Sequence, residues 1–180
     1  IRYPRGKTLG GSSSINGLLW VRGQSEDYNI WRQLGNTGWG WNDVLPYFLK
    51  SENNELGKSE FHNNSGPITV ANKKINLKLL DEFQNAAEEY GIPKTNDFNT
   101  GDNTGIGFFQ FTTSFNKPGL KLRCSAAKGY LKPAKKRNNL KIVVKAHVQK
   151  INFEGKKAIG ASYYNLSLIH ISEPTRQSSI

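Results

Sequence analysis

Chemistry is first suggested between Thr8 and Leu19, where Gly10-Gly11 stand directly before Ser12-Ser13-Ser14. Paired glycines let a backbone approach a ligand closely and take positive φ, while serine hydroxyls and successive N–H groups can solvate a diphosphate. The stretch therefore reads as an anion cradle. Glycine and serine alone would equally make a flexible linker, but a linker would not run straight into Ile15, Leu18, Leu19, Trp20 and Val21.

The other reactive residue types read as ordinary. His62 falls in a polar loop and is expected to be solvated or hydrogen-bonded at the surface. His147 lies within a strand pattern and is expected to pack there. The three histidines are not spaced as a metal-ligand set. Cys124 is the single cysteine, so no internal disulfide is encoded, and no base stands near it to make it a nucleophile. Glu26 and Asp27 are neighbours that would point apart on a helix, which suits a first-turn dipole role better than an acid–base pair. Trp20, Trp31, Trp39 and Trp41 suit packing rather than sugar stacking. No catalytic residue and no metal ligand is assigned.

The formal net charge is +11, from 25 Lys and Arg against 14 Asp and Glu, which raises a basic nucleic-acid-binding module as the alternative. The distribution argues against it. Positive residues are scattered from Arg2 to Arg176, and the densest run, Lys132, Lys135, Lys136, Arg137 and Lys141, has no aromatic residue interleaved for base stacking. That run reads as a solvated helix end or loop, and no nucleic-acid partner is assigned. No apolar run reaches the ~18 to 20 residues that span a bilayer.

Several elements must hold the cradle. Residues 5–23 read as a basic turn, the glycine-serine loop and then a buried helix over the apolar stretch Ile15 to Val21. Ser25 is expected to cap a short amphipathic helix carrying Tyr28, Ile30, Trp31 and Leu34, with Gly35 as its stop. Asn42-Asp43 would cap a second helix with Pro46 in its first turn. A polar loop from Ser51 to Gly66 leads to a strand at Pro67 to Val70. The clearest helical periodicity covers 76–91, through Leu77, Leu79, Leu80, Phe83, Ala86, Ala87 and Tyr90, and ends at Gly91. Aromatic and polar residues alternate over 106–115 as in a half-buried strand. Ser125 to Leu131 should be a short helix. Leu140 to Phe153 and Lys156 to Tyr164 read as two strands with a turn at Glu154-Gly155. Residues 166–180 continue no preceding pattern and are expected to form a non-native tail that packs poorly, so His170 is not a candidate.

Beyond composition, Gly6, Lys7, Leu9, Gly10, Gly11, Ser12, Ser13, Ile15, Asn16, Trp20, Gly23 and Asn29 fill every position of the first signature of the glucose-methanol-choline oxidoreductases, which this chain resembles. The resemblance runs on through Glu26-Asp27-Tyr28, Gly38-Trp39, Asp43 to Phe48, Phe61-His62 before Gly66-Pro67, Asn96 to Asn99, Arg123 to Ala127, Tyr130-Leu131-Pro133 and Ala146-His147-Val148. It covers the chain to about Asn165 and is strongest towards the bacterial choline- and alcohol-dehydrogenase-like branch.

The resemblance implies an α/β fold: part of a Rossmann-like FAD-binding domain with part of a mixed, largely antiparallel α+β substrate domain. It implies FAD-binding loop and helix at 1–24, connecting helices over the flavin at 25–55, substrate domain at 56–122, and a return to the FAD-binding domain at 123–165. Thr8 through Leu19 would wrap the FAD, with the backbone of Gly10, Gly11 and Ser12 near the diphosphate, Asn16, Gly17, Leu18 and Leu19 against the isoalloxazine, and the backbone of Val148 at the adenine. The substrate would be a small alcohol, oxidised by hydride transfer to FAD; a family fold without activity is the other alternative.

The chain contains no methionine and opens at Ile1, so it reads as an internal piece of a longer protein. The family's dinucleotide fingerprint would precede it and the catalytic histidine would follow it. Alone, it is expected neither to retain FAD nor to oxidise alcohols. The parent would be a cytoplasmic or membrane-associated bacterial protein. Ile15 stands where members with a flavin tethered through this loop carry a histidine, which implies FAD held without a covalent bond.

Overall fold

The computed structural model describes residues 1–72, 77–114 and 122–165, together with the backbone of Ser178 and Ser179. The chain divides into two compact units, Ile1–Lys135 and Lys136–Ile180.

In the first unit, helices α1 (Ser25–Gln33) and α2 (Trp41–Ser51) begin with the same device. Asp27 and Asp43, each at the third helical position, turn a carboxylate back to accept the cap N–H of Gln24 at 2.8 Å and of Gly40 at 3.0 Å. This satisfies donors that a helix start leaves unpaired and sets a negative charge at the positive end of the dipole. The caps thus lie one residue before the expected Ser25 and two before Asn42. Pro46 consequently falls beyond the first turn of α2, where its ring removes one intrahelical donor. Tyr28 joins the helices, with its ring edge-on to Trp31 at 5.4 Å and to Phe48 at 5.8 Å. Helix α3 (Lys78–Glu89) follows the expected periodicity and stops before Gly91.

The sheet of this unit is mixed. Strands β1 (Leu19–Trp20), β2 (Glu52–Asn54), β3 (Ile68–Asn72) and β4 (Gln110–Phe111) lie in the order β1-β4-β3-β2, with β2 and β3 parallel and the other pairs antiparallel. The helix expected over Ile15 to Val21 does not form. A single 3-10 turn, Gly11–Ser14, is followed by Leu18 at φ +70°, outside the helical region, and the chain enters β1. The strand expected over 106–115 shortens to β4, flanked by single bridges from Ile106 to Lys94 and from Thr113 to Arg123; Phe115 lies outside the described residues. Ser125 to Leu131 gives a π-helical turn, Ala127–Leu131, continuing into Lys132–Ala134.

The apolar core is small: Ile68, Val70 and Cys124, with Trp20 packed against them. Arg22, Glu52, Asn54, His62, Asn99 and Gln110 are buried as well, so polar side chains fill much of this interior.

In the second unit, β5 (Ala146–Glu154) and β6 (Lys157–Asn165) form an antiparallel hairpin turned at Gly155-Lys156, with register shifts after Val148 and Asn152. β5 starts six residues later than Leu140, after Lys145 at φ +55°. The backbone of β7 (Ser178–Ser179) pairs with Gly160 and Ala161; the rest of the expected tail lies outside the described residues. No helix among the described residues is long and apolar enough to cross a membrane.

The junction of β2 and β3 depends on a missing side chain. A Cβ on Gly66 would lie 2.4 Å from the Glu52 nitrogen and the Ser51 carbonyl carbon, both backbone atoms that cannot swing aside. Gly66→Ala is expected to destabilise the chain by about 1–3 kcal/mol, read as a lower urea midpoint with unchanged slope.

Candidate functional site

The glycine-serine loop is built from its own hydroxyls. Ser12 Oγ accepts the Gly6 N–H at 3.2 Å, Ser13 Oγ donates to the Gly10 carbonyl at 2.5 Å, and Ser14 Oγ donates to the Leu9 carbonyl at 2.8 Å. Ser13 Oγ also accepts the Ala126 N–H at 2.9 Å, which pins the loop to the start of the 125–131 turn. The hydroxyls therefore brace the turn, and that of Ser12 keeps its own proton to donate. Gly10 and Gly11 take φ +88° and +56°. The Gly11 N–H is used by the Thr8 carbonyl at 2.8 Å, which leaves the Gly10 and Ser12 N–H groups without an acceptor among the described residues. A Cβ on Gly11 would meet nothing within 4 Å. The approach to this backbone is open.

Beyond the turn, Asn16 Oδ1 accepts the Leu18 N–H at 3.1 Å, and the Leu18 carbonyl accepts both the Thr112 N–H at 2.8 Å and its hydroxyl at 3.1 Å. Thr8, Gly10, Gly11, Ser12, Asn16, Gly17, Leu18 and Leu19 are thus consecutive parts of one braced segment. Val148 lies on β5 of the second unit, opposite Tyr163 and exposed.

Directly after this segment the chain enters a buried polar network that sequence reading missed. Arg22 Nη2 donates to Glu52 Oε2 at 2.5 Å, with the two side chains 2% and 0% exposed. Glu52 Oε1 also accepts from Trp20 Nε1 at 3.1 Å and Asn54 Nδ2 at 2.7 Å. His62, expected at the surface, is buried between two carboxylates: Nδ1 lies 3.2 Å from both Glu52 oxygens, and Nε2 donates to Asp97 Oδ2 at 2.6 Å. Asn99 closes the network, its Oδ1 accepting the Arg22 N–H at 2.8 Å and its Nδ2 donating to the Trp20 carbonyl and Gln110 Oε1, each at 3.1 Å.

Burial pulls the His62 pKa down, but the hydrogen bonds to Asp97 and Glu52 outweigh it and raise the value to about 9. Burial likewise opposes the charged form of Asp97, and the bonds from His62 and the Asn99 N–H overcome it and lower its pKa. Two cations thus alternate with two carboxylates at neutral pH. His62 is an imidazolium with both ring N–H groups committed, so it has no lone pair to accept a proton from a substrate. His147 is exposed on β5, paired opposite Tyr164. Among the described residues no group of His, Cys, Asp and Glu could hold a metal ion.

The signals that could have found the network were the pairs Phe61-His62 and Asp97-Phe98-Asn99 in polar loops. Glu52 carried none.

This arrangement is that of an FAD-dependent oxidoreductase fold: the chain superposes on an FAD-dependent oxidoreductase from Chaetomium thermophilum with a TM-score of 0.85 and 30% identity, over 97% of this chain and 31% of that one. The fold is shared by pyridoxine 4-oxidase from Mesorbium loti, with a TM-score of 0.81 at 24% identity, over 97% of this chain and 33% of that one. The chain belongs to the GMC oxidoreductase family, whose sequence profile matches residues 1–173. It is 40% identical over 162 residues to the alcohol dehydrogenase [acceptor] of Pseudomonas putida, covering 89% of this chain and 28% of that protein. It is 43% identical over 157 residues to the oxygen-dependent choline dehydrogenase of Brucella anthropi, covering 87% of this chain and 28% of that protein. It therefore spans between a quarter and a third of the length of these relatives.

The network makes stability depend on pH in a defined direction. The folded protein holds the His62 proton more tightly than the unfolded chain, so this contribution is complete below the unfolded value of 6.5 and is lost as pH rises through about 9. Wild type is expected to lose stability across that window, by urea melts at stepped pH, and His62→Gln to lack that component. At pH 6 the variant should be less stable by about 3 kcal/mol or more, because two carboxylates lose a buried partner.

Proposed function

We propose that this chain is part of a flavin-dependent enzyme that oxidises a small alcohol, with FAD lying along the segment Thr8 to Leu19. The observation that carries the reading is the braced Gly10-Gly11 turn, which leaves the Gly10 and Ser12 N–H groups without an acceptor among the described residues on either side of the open Gly11 and leads without a break into the Asn16–Leu19 corner. Gly10 and Ser12 would hold the diphosphate through their N–H groups and the Ser12 hydroxyl, with the missing side chain of Gly11 allowing the approach, a donor set that suits an anion better than any cation. Asn16, Gly17, Leu18 and Leu19 would line the isoalloxazine. When bound, FAD supplies the acceptor for a hydride from the alcohol carbon. The relatives named as alcohol and choline dehydrogenases support the substrate class.

What these residues contribute is binding and orientation. His62 is engaged by Asp97 at Nε2 and by Glu52 and Asn54 at Nδ1, which supports a structural role for it and another group as the one that removes the hydroxyl proton. The Ile15 side chain is exposed and has no nucleophile to bond the flavin, so retention rests on the cradle and the buried ring.

The enzyme containing this segment, purified with its flavin, is expected to reduce an artificial dye acceptor with choline or a simple primary alcohol. A yellow protein that turns over none of these would sink the alcohol reading. Its flavin should pass into the supernatant on mild acid precipitation; colour retained in one peptide after proteolysis would mean a covalent tether. Gly11→Leu should lower FAD affinity at least about tenfold, by placing a side chain where the diphosphate approaches, while backbone strain costs the fold only roughly 1–2 kcal/mol. Unchanged affinity in that variant would move the diphosphate elsewhere.

A further inference from the structure

The Asn16–Leu18 corner is held from outside by a residue that no feature of the glycine-serine motif announces. Arg123 Nη1 donates to Asn16 Oδ1 at 2.5 Å and to the Ser13 carbonyl at 3.1 Å, while Nη2 donates to the Asn16 carbonyl at 2.7 Å. One planar fork thus takes three oxygens of a single turn, a geometry lysine cannot reproduce. Asn16 Oδ1 is shared, since it also accepts the Leu18 N–H. Leu18 in turn is tied to Thr112, and the Thr112 carbonyl accepts the N–H of Cys124, the residue after Arg123, at 2.8 Å. The contacts close a ring: Arg123, Asn16, Leu18, Thr112, Cys124.

Leu18 sits inside that ring at φ +70°. For a branched side chain this conformation costs roughly 1–2 kcal/mol and persists only where its surroundings enforce it. The enforcement here is complete, with the N–H held through Asn16 and the carbonyl held by two donors from Thr112. The guanidinium itself forms no ion pair with any carboxylate among the described residues; its partners are neutral oxygens. A formal positive charge is therefore spent on bracing a loop, where a neutral amide could have made part of the same bonds.

We infer that Arg123 is a positioning residue for the flavin, its fork locking the Ser13–Asn16 turn and the left-handed Leu18 and its charge, paired with no carboxylate among the described residues, held on the segment that would face the ring. This rests on the flavin reading above. The charge favours the additional negative charge of the reduced ring, and the fork fixes the backbone against which the ring lies.

Two measurements test it, and the first needs no flavin. Amide hydrogen exchange on the whole protein that contains this segment, stripped of flavin, is expected to quicken at least about tenfold at Leu18 and Thr112 in Arg123→Gln, with the α1 amides as the unchanged internal control. Arg123→Lys, which keeps the charge and loses the fork, should show the same quickening. Exchange within twofold of wild type in both variants would overturn the positioning role. In the flavin-loaded enzyme, Arg123→Gln should lower the flavin reduction potential and Arg123→Lys should bring it back towards the wild-type value. A role confined to loop structure predicts equal potentials in the two variants, and that result would overturn the electrostatic half. An enzyme that binds no flavin would refute the functional reading, while the exchange experiment would still decide what Arg123 does to the corner.

Discussion

Arg22 and Glu52 meet where neither has access to solvent, and the rest of the first unit is arranged around the need to keep both charges partnered. A guanidinium and a carboxylate taken out of water lose several kcal/mol of hydration each, which their attraction offsets only with good geometry and with every remaining polar atom engaged. Trp20, Asn54 and His62 complete the carboxylate, while the Phe61 and Asn99 carbonyls take the Nη1 of the guanidinium at 2.7 and 3.2 Å; Arg22 Nε, alone of the guanidinium nitrogens, is buried without a partner among the described residues. These partners come from β1, β2, the 61–62 loop and the 97–99 loop. A hydrogen-bonded pair is directional in a way apolar contact is not, so the network fixes which way each segment faces as well as how close it lies.

That directionality matters for the cradle, which ends only a few residues before Arg22. The backbone from Trp20 to Arg22 is gripped by amide side chains: Asn99 holds the Trp20 carbonyl and the Arg22 N–H, and Asn103 donates to the Arg22 carbonyl at 3.0 Å. In its middle the cradle is held by Arg123 at Ser13 and Asn16 and by Ala126 at Ser13. The loop is therefore anchored at its centre and just past its C-terminal end by residues about eighty to more than a hundred positions away. A loop fixed in this way loses little conformational freedom when it takes up a ligand.

The parts legible in the sequence are those whose causes are local. The periodicity of Leu80, Phe83 and Ala87 marks α3, Gly155 marks the hairpin of the second unit, and Gly10-Gly11 marks a turn with positive φ. Each is decided by neighbours within a few positions. His62 was misplaced at the surface because a histidine among asparagines and serines looks solvated, and only Glu52 and Asp97, brought in by folding, make it an interior cation. Ile15 to Val21 looked helical because its apolar residues are contiguous; Asn16, whose side chain caps its own turn, and Thr112, which pairs with Leu18, redirect it into β1. The hydroxyls of Ser13 and Ser14 are tied to the Gly10 and Leu9 carbonyls, a bracing of the turn that composition does not announce.

An interior made of asparagine, glutamine, glutamate, arginine and histidine also has a calorimetric consequence. Exposing apolar surface raises the heat capacity of unfolding, whereas exposing polar groups lowers it. In this unit much of what unfolding uncovers is amide and charge. The heat-capacity increment per residue therefore falls below that of an ordinary domain of this size, and its stability curve is broad and shallow, with heat and cold denaturation set far apart.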